Sequence, residues 1–194
     1  MGKKLDDAII FATHKHMGQV RKRESSPYIL HPLEAAAIAS DLTKDEDTIV
    51  AAVLHDTVED TDTTVEEIRE KFGDRVAQLV ESETEKKRHD LPPEQTWEIR
   101  KKESLEHLKN STDPAVKILW LADKVSNIRT LFKLYEEEGD AMWNHFNMKD
   151  VEKQAWYYRS ICKYLVELEN TLAYQEYRQI VGYIFKNVKE NEDD

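Results

Sequence analysis

Apolar positions in this chain recur at helical spacing almost from end to end. Ala8, Ile9, Phe11, Ala12 and His16 follow a helical period and predict a first helix over residues 5–19. The polar stretch RKRESSPYIL, residues 21–30, contains Pro27 and reads as a loop. His31-Pro32 then opens a second helix, with Pro32 suited to its first turn, which continues as LEAAAIASDL. A third helix starts near Asp45 and carries the run LHDTVEDT, residues 54–61. Thr63-Thr64-Val65-Glu66 fits a capping box for a helix ending near Gly73, and residues 74–82 continue as an apolar helix. Residues 83–93, charged and closed by two prolines, are the candidate mobile loop. TWEIRKKESLEHL predicts one further helix, and AVKILWLADKVSNIRTLFKL predicts another that starts at Asp113-Pro114 and breaks at residues 136–140. Two amphipathic helices follow from about Asp150, and the ENEDD tail is expected to fray. Alternating β-branched residues are scarce, so the predicted fold class is all-α. No repeat or linker divides the chain. The expectation is one domain over 1–194, with a motif-bearing core over 5–134, C-terminal helices over 150–188 and an acidic tail over 189–194.

Composition narrows the function classes. At 194 residues the chain is long enough for a real core, and 40% hydrophobic with 35% charged residues suits a soluble globular protein. A formal net charge of −11 argues against nucleic acid as a partner. A polyanionic small substrate remains compatible if a local basic cluster or a metal reverses the field at the site. Cys162 is the single cysteine, so no internal disulfide can form, which fits a reducing cytoplasm. The N-terminal MGKKLDDAIIFATHKH lacks the apolar run of a signal peptide, and nowhere do enough apolar residues run together to predict a membrane span.

LHDTVEDT is the most informative stretch. It places His55, Asp56, Glu59 and Asp60 within two helical turns of an otherwise apolar segment. Read as one continuous helix, residues four apart share a face, so His55 stands over Glu59 and Asp56 over Asp60. Burying several acids and an imidazole is unfavourable unless something compensates them, and a metal ion does so well. His31 at a loop-to-helix junction and Asp123 in the apolar LADK complete two imidazoles and two carboxylates. That mixed nitrogen and oxygen set suits Mn²⁺, Fe²⁺, Co²⁺ or Zn²⁺ better than a structural thiolate site. Glu59 and Asp60, just past the ligand pair, are placed to orient and deprotonate a water and later to protonate a leaving phosphate. A lone His-Asp pair on a helix is usually structural. The whole constellation, with its second His and distant Asp, favours the metal site.

GQVRKRESSPYILHPLEAAAI, AAVLHDTVEDTDTTVEEIREKFGDRVAQLV and LADKVSNIRTL together resemble the hydrolase domain of the RelA/SpoT alarmone enzymes, and most of all the stand-alone small alarmone hydrolases. The resemblance covers residues 5–134 in ordered motifs and leaves no room for a synthetase or regulatory domain in the remainder. It implies an all-helical HD-superfamily fold and metal-dependent hydrolysis, usually with Mn²⁺, of the 3′-pyrophosphate of (p)ppGpp to GDP or GTP plus pyrophosphate. Carried over to this sequence, it makes His31, His55, Asp56 and Asp123 the metal ligands and Glu59 and Asp60 the catalytic pair.

The same resemblance assigns nucleotide contacts to Arg21 and Lys22, an Arg plane stacking on a purine and a Lys meeting a phosphate. Tyr28 either supports the ligand or packs the loop. Asn127 and Thr130 share the helix face of Asp123 and are candidates for sugar or base contacts, whereas Arg129 points elsewhere and fits a structural ion pair. Lys101, Lys153 and Trp156 are further candidates for the distal phosphates and the nucleotide pocket, with Lys86, Lys87, Arg88, Arg100 and Lys102 read mainly as solvated. His14, His16, His89, His107 and His145 have no ligand pattern, and Trp97 and Trp120 read as packing residues. The chain departs from the longer enzymes in the loop RKRESSPYI, where they usually carry a glycine after RK, and in the polar ESETEKKRHD. Two alternatives stay open: a related HD phosphohydrolase acting on (p)ppApp or NADPH, and a catalytically silent alarmone-binding module. The latter predicts eroded ligands or acids, yet all six are present.

Overall fold

The computed structural model describes residues 2–21, 26–85, 88 and 90–189. Ten α-helices follow one another among the described residues: α1 Lys3–Lys15, α2 Leu30–Leu42, α3 Glu46–Leu54, α4 Thr57–Asp60, α5 Val65–Phe72, α6 Asp74–Glu83, α7 Pro93–Asn110, α8 Pro114–Glu138, α9 Val151–Tyr164 and α10 Leu172–Ile184. The fold is all-α. Among the described residues the only β-type pairing is an isolated bridge between Val20 and Pro27. No described helix is long and apolar enough to cross a membrane.

The chain packs as two compact units, Met1–Glu85 with Thr112–Ser126, and Lys86–Ser111 with Asn127–Asp194. In the first, α3 is the central rod. Val50, Ala51, Ala52, Val53 and Leu54 are all fully buried, and α1, α2 and α6 pack around them. A helix apolar on every side is stable only when covered on every side. Each large aliphatic side chain buried this way contributes about 1.5–3 kcal/mol. Asp45 caps α3, its carboxylate accepting the Thr48 N–H at 3.2 Å. In the second unit α9 packs against α7 and α10, and Arg129 on α8 grips Glu176 through two bonds of 2.6 and 2.7 Å, the expected structural ion pair.

Of the boundaries that differ from the sequence reading, three have clear local reasons. Helix α1 stops at Lys15 because Gly18 turns into the left-handed region, φ 78°, which ends the turn after the helix. The cap of α5 is Thr64, one residue later than the first threonine of the box, with its hydroxyl accepting the Glu67 N–H at 3.1 Å. Helix α6 extends through Glu83, whose side chain is buried, so this residue belongs to the core rather than to a loop. The loop expected over 83–93 lies partly outside the described residues.

The largest difference falls on LHDTVEDT. It is not one helix: α3 ends at Leu54, His55 and Asp56 form a turn, and α4 begins at Thr57. Side chains take the carbonyls that a continuous helix would use. His55 Nδ1 bonds Ala52 O at 2.8 Å and the Thr57 hydroxyl bonds Leu54 O at 2.7 Å. Hydrogen bonding resumes with Asp60 N–H to Asp56 O at 2.9 Å. Side chains that compete for backbone groups in this way break helices.

Candidate metal centre and active site

The first unit brings His31, His55 and Asp123 together, although 24 residues separate the histidines and 92 separate Asp123 from His31. His31 sits in the first turn of α2, His55 follows α3, and Asp123 lies on the part of α8 belonging to this unit. All three are buried, and their ligand atoms lie within 4.8 Å of one another. His31 Nε2 and His55 Nε2 are 3.3 Å apart, and Asp123 Oδ1 is 3.1 and 3.4 Å from them. Asp56 Oδ2 lies 3.4 Å from His31 Nε2 and 3.2 Å from His55 Nε2.

These separations suit a metal. Bonds of about 2.1 Å at tetrahedral to octahedral angles put neighbouring ligand atoms about 3.0–3.4 Å apart. The tautomers fit as well. His55 Nδ1–H donates to Ala52 O, so in the neutral imidazole Nε2 is the acceptor that faces the cluster. His31 Nδ1 meets Ser126 Oγ at 2.8 Å, and that hydroxyl donates to Glu34 Oε2 at 2.6 Å, so Nδ1 carries the proton and Nε2 again faces inward. Two lone pairs aimed at each other across 3.3 Å repel unless a cation or proton lies between them.

Electrostatics point the same way. Burial pushes both imidazoles down, but the carboxylates of Asp56 and Asp123 outweigh it and hold His31 up and His55 well above the ordinary imidazole value. Burial likewise pushes Asp56 up, while His55 and His31 keep it well below the carboxylate range. Asp123 is also depressed despite burial, by the Lys124 charge first and then by the imidazoles. The cluster thus holds two anionic carboxylates that attract positive charge.

Both acids that follow are tethered beside it. The Tyr28 hydroxyl reaches Asp56 Oδ2 at 2.7 Å and Asp60 Oδ2 at 2.9 Å, while the Gln19 amide donates to Asp60 O at 2.9 Å. Burial and the two neighbouring carboxylates push the Tyr28 phenol up, so it stays a donor. Its ring rests against His16, with centroids 4.9 Å apart. Glu59 Oε2 accepts the Glu85 N–H at 3.2 Å. The structure therefore joins Tyr28 to the carboxylates of Asp56 and Asp60.

Of the substrate candidates, Arg21 bonds Ser26 O through its own N–H at 2.9 Å, and Lys22 lies outside the described residues, as do Lys86, Lys87 and His89. Asn127 and Thr130 are half-buried on α8, one and two turns beyond Asp123. Within the second unit, Lys101 Nζ lies over the Tyr157 ring, 4.8 Å from its centroid, and Lys153 pairs with Glu98 at 2.8 Å; Trp156 is half-buried. Arg88 pairs with Glu103 and Lys102 with Glu98, each at 2.7 Å. Trp97 and Trp120 are core residues.

Sequence reasoning missed Ser126, Glu34, Lys124 and Glu83. Ser126 follows Asp123 by three residues on α8 and Glu34 follows His31 by three on α2, a spacing that shares a helix face and marks candidates for ligand support. Nothing in the pattern singles out Glu83.

An all-helical unit that gathers two histidines and two aspartates from separate elements defines a class, and the chain belongs to it: it is a member of the HD-domain family, whose model matches residues 8–148. Among its relatives is the guanosine-3′,5′-bis(diphosphate) 3′-pyrophosphohydrolase of Aquifex aeolicus, 44% identical over 128 residues, which are 66% of this chain but 18% of that protein. The GTP pyrophosphokinase rsh of Brucella ovis is 40% identical over 134 residues, again 18% of its length. The chain thus spans about a fifth of these longer relatives. The Mus musculus enzyme MESH1, a guanosine-3′,5′-bis(diphosphate) 3′-pyrophosphohydrolase, is of more similar size: 44% identity over 128 residues covers 64% of this chain and 68% of that one. Two solved structures share the fold. A Listeria monocytogenes EGD-e protein matches with TM-score 0.70 and 34% identity over 80% of this chain and 99% of that one. A metazoan ortholog of SpoT that hydrolyses ppGpp matches with TM-score 0.69 and 24% identity over 96% of each.

Proposed function

We propose that this chain is a divalent-metal-dependent hydrolase that removes the 3′-pyrophosphate of (p)ppGpp and leaves GDP or GTP. The observation that carries the reading is the adjacency of two clusters in one unit: His31, His55, Asp56 and Asp123 with converging ligand atoms, and Asp60 joined to Asp56 through the Tyr28 hydroxyl. The names of the Aquifex and mouse relatives supply the substrate class.

His31, His55, Asp56 and Asp123 would hold the cation. Mn²⁺ suits their mixed nitrogen and oxygen donors, with Fe²⁺, Co²⁺ and Zn²⁺ as competitors. A divalent ion there would supply positive charge against the phosphates and would make a water easier to deprotonate. The residues do the rest. Glu59 and Asp60 orient the attacking water and take its proton, and the proton returns to the 3′-oxygen as pyrophosphate departs. Tyr28 fixes the Asp60 carboxylate, and the Glu85 N–H fixes that of Glu59. Arg21 and Lys22, which precede α2 in the sequence, are proposed to meet the nucleotide. A cytoplasmic setting suits the lone Cys162, whose half-buried thiol burial pushes up to about 12 and keeps unreactive.

Glu59→Gln and Asp60→Asn test the assignment against the binding-module alternative. Each is expected to lose turnover of ppGpp by at least about 100-fold while keeping its metal. Normal rates in both variants would remove Glu59 and Asp60 from the chemistry.

A further inference from the structure

Asp123 divides its carboxylate between two neighbours. Oδ1 faces the two imidazoles, at 3.1 and 3.4 Å, and Oδ2 is met by the ammonium of the next residue, Lys124. Adjacent residues point about 100° apart on a helix, so this contact requires the Lys124 stem to fold back along α8. It does so over Trp120, placing Nζ 4.6 Å from the ring centroid, and only 14% of the side chain stays exposed. On a further side stands Glu83, its side chain 4% exposed, with Oε2 3.8 Å from Nζ and Oε1 buried without a hydrogen-bond partner. A methionine would follow the same path over Trp120 without carrying a charge into the core. A lysine charge kept out of water here therefore asks for a purpose.

We infer that Lys124 is a positioning residue that holds Asp123 to the metal cluster through one oxygen and, as a fixed positive charge, competes with the divalent cation for that carboxylate. The inference rests on the metal reading above. A carboxylate with both oxygens free can chelate and so fill a coordination position that water or a substrate phosphate needs. Tying Oδ2 to Lys124 keeps that position open at the expense of affinity. The sign of the effect is distinctive. Losing an ordinary supporting residue weakens metal binding about 10–100-fold. Losing Lys124 removes a repulsive charge and the contact that holds Oδ2 away from the cluster, and both strengthen it.

The test is calorimetric titration of Mn²⁺ alone into the metal-stripped full chain, for the wild type, Lys124→Met, Lys124→Arg and the double variant Lys124→Met/Glu83→Gln. The double variant also relieves the buried carboxyl should the single one fold poorly. The expected result is Mn²⁺ binding about tenfold tighter or more in both methionine variants, with wild-type affinity restored by arginine. Water-proton relaxation by the bound Mn²⁺ is expected to fall in the methionine variants as chelation displaces a water. Unchanged or weaker affinity in the folded methionine variants overturns the inference alone. A wild-type chain that takes up no Mn²⁺ overturns the metal reading and the inference together.

Discussion

The Tyr28 hydroxyl lies 2.9 Å from Asp60 Oδ2, and the same oxygen atom of Tyr28 lies 2.7 Å from Asp56 Oδ2. One phenol thus links a metal-ligand candidate to a catalytic candidate. Tyr28→Phe keeps the ring against His16 and removes the link. Its expected stability change is small, about 1 kcal/mol, the net worth of a hydrogen bond. Its rate of ppGpp hydrolysis is expected to fall about 10–100-fold, as for lost support of a metal centre. Steady-state kinetics beside a urea melt check both, and wild-type rates would reduce Tyr28 to loop packing.

The chain from His31 through Ser126 to Glu34 makes a second expectation. Ser126→Ala leaves His31 Nδ1 without its 2.8 Å partner in a buried site, so the imidazole loses both its orientation and its fixed tautomer. Divalent affinity should drop about 10–100-fold, opposite in direction to the effect expected at Lys124. Titration with Mn²⁺ reads it directly.

Glu83 is expected to contribute a pH dependence of definite sign to the metal-free protein. Burial pushes its carboxyl from the ordinary 4.5 up to about 8, against the pull of Lys124. Between these values the unfolded chain has released the proton and the folded chain retains it, so stability falls as pH rises. The Glu83 contribution is fully present below the unfolded value and lost as pH climbs through about 8. Glu83→Gln mimics the protonated form and removes this slope. Relative to wild type it should gain stability between about pH 5 and about pH 8, on the order of a few kcal/mol at most. Urea melts at the two ends of that range, with metal chelated, decide it; a constant difference between the proteins would mean that Glu83 titrates normally.

Much of the fold is legible in the sequence. Helical period and scarce glycine fixed the all-α class, and the acids embedded in the apolar LHDTVEDT and LADK runs marked the cluster, because unpaired charge inside a core needs a reason. What periodicity misses is competition from side chains. His55 and Thr57 take backbone carbonyls and break the helix at His55 and Asp56, the candidate ligand pair, which a 3.6-residue pattern smooths over. It also misses partners distant in sequence. Glu83 looks like one more charge in a polar stretch until α6 carries it inside, and the sequence leaves Tyr28 between ligand support and loop packing until the fold sets it beside Asp56 and Asp60.

The most direct test is product analysis. Metal-stripped protein, with and without restored Mn²⁺, is offered ppGpp, pppGpp, ppApp and NADPH in parallel, and the products are separated by anion exchange. Pyrophosphate and GDP are expected from ppGpp, only when metal is present. Intact nucleotides throughout, from protein with Mn²⁺ bound, would contradict it.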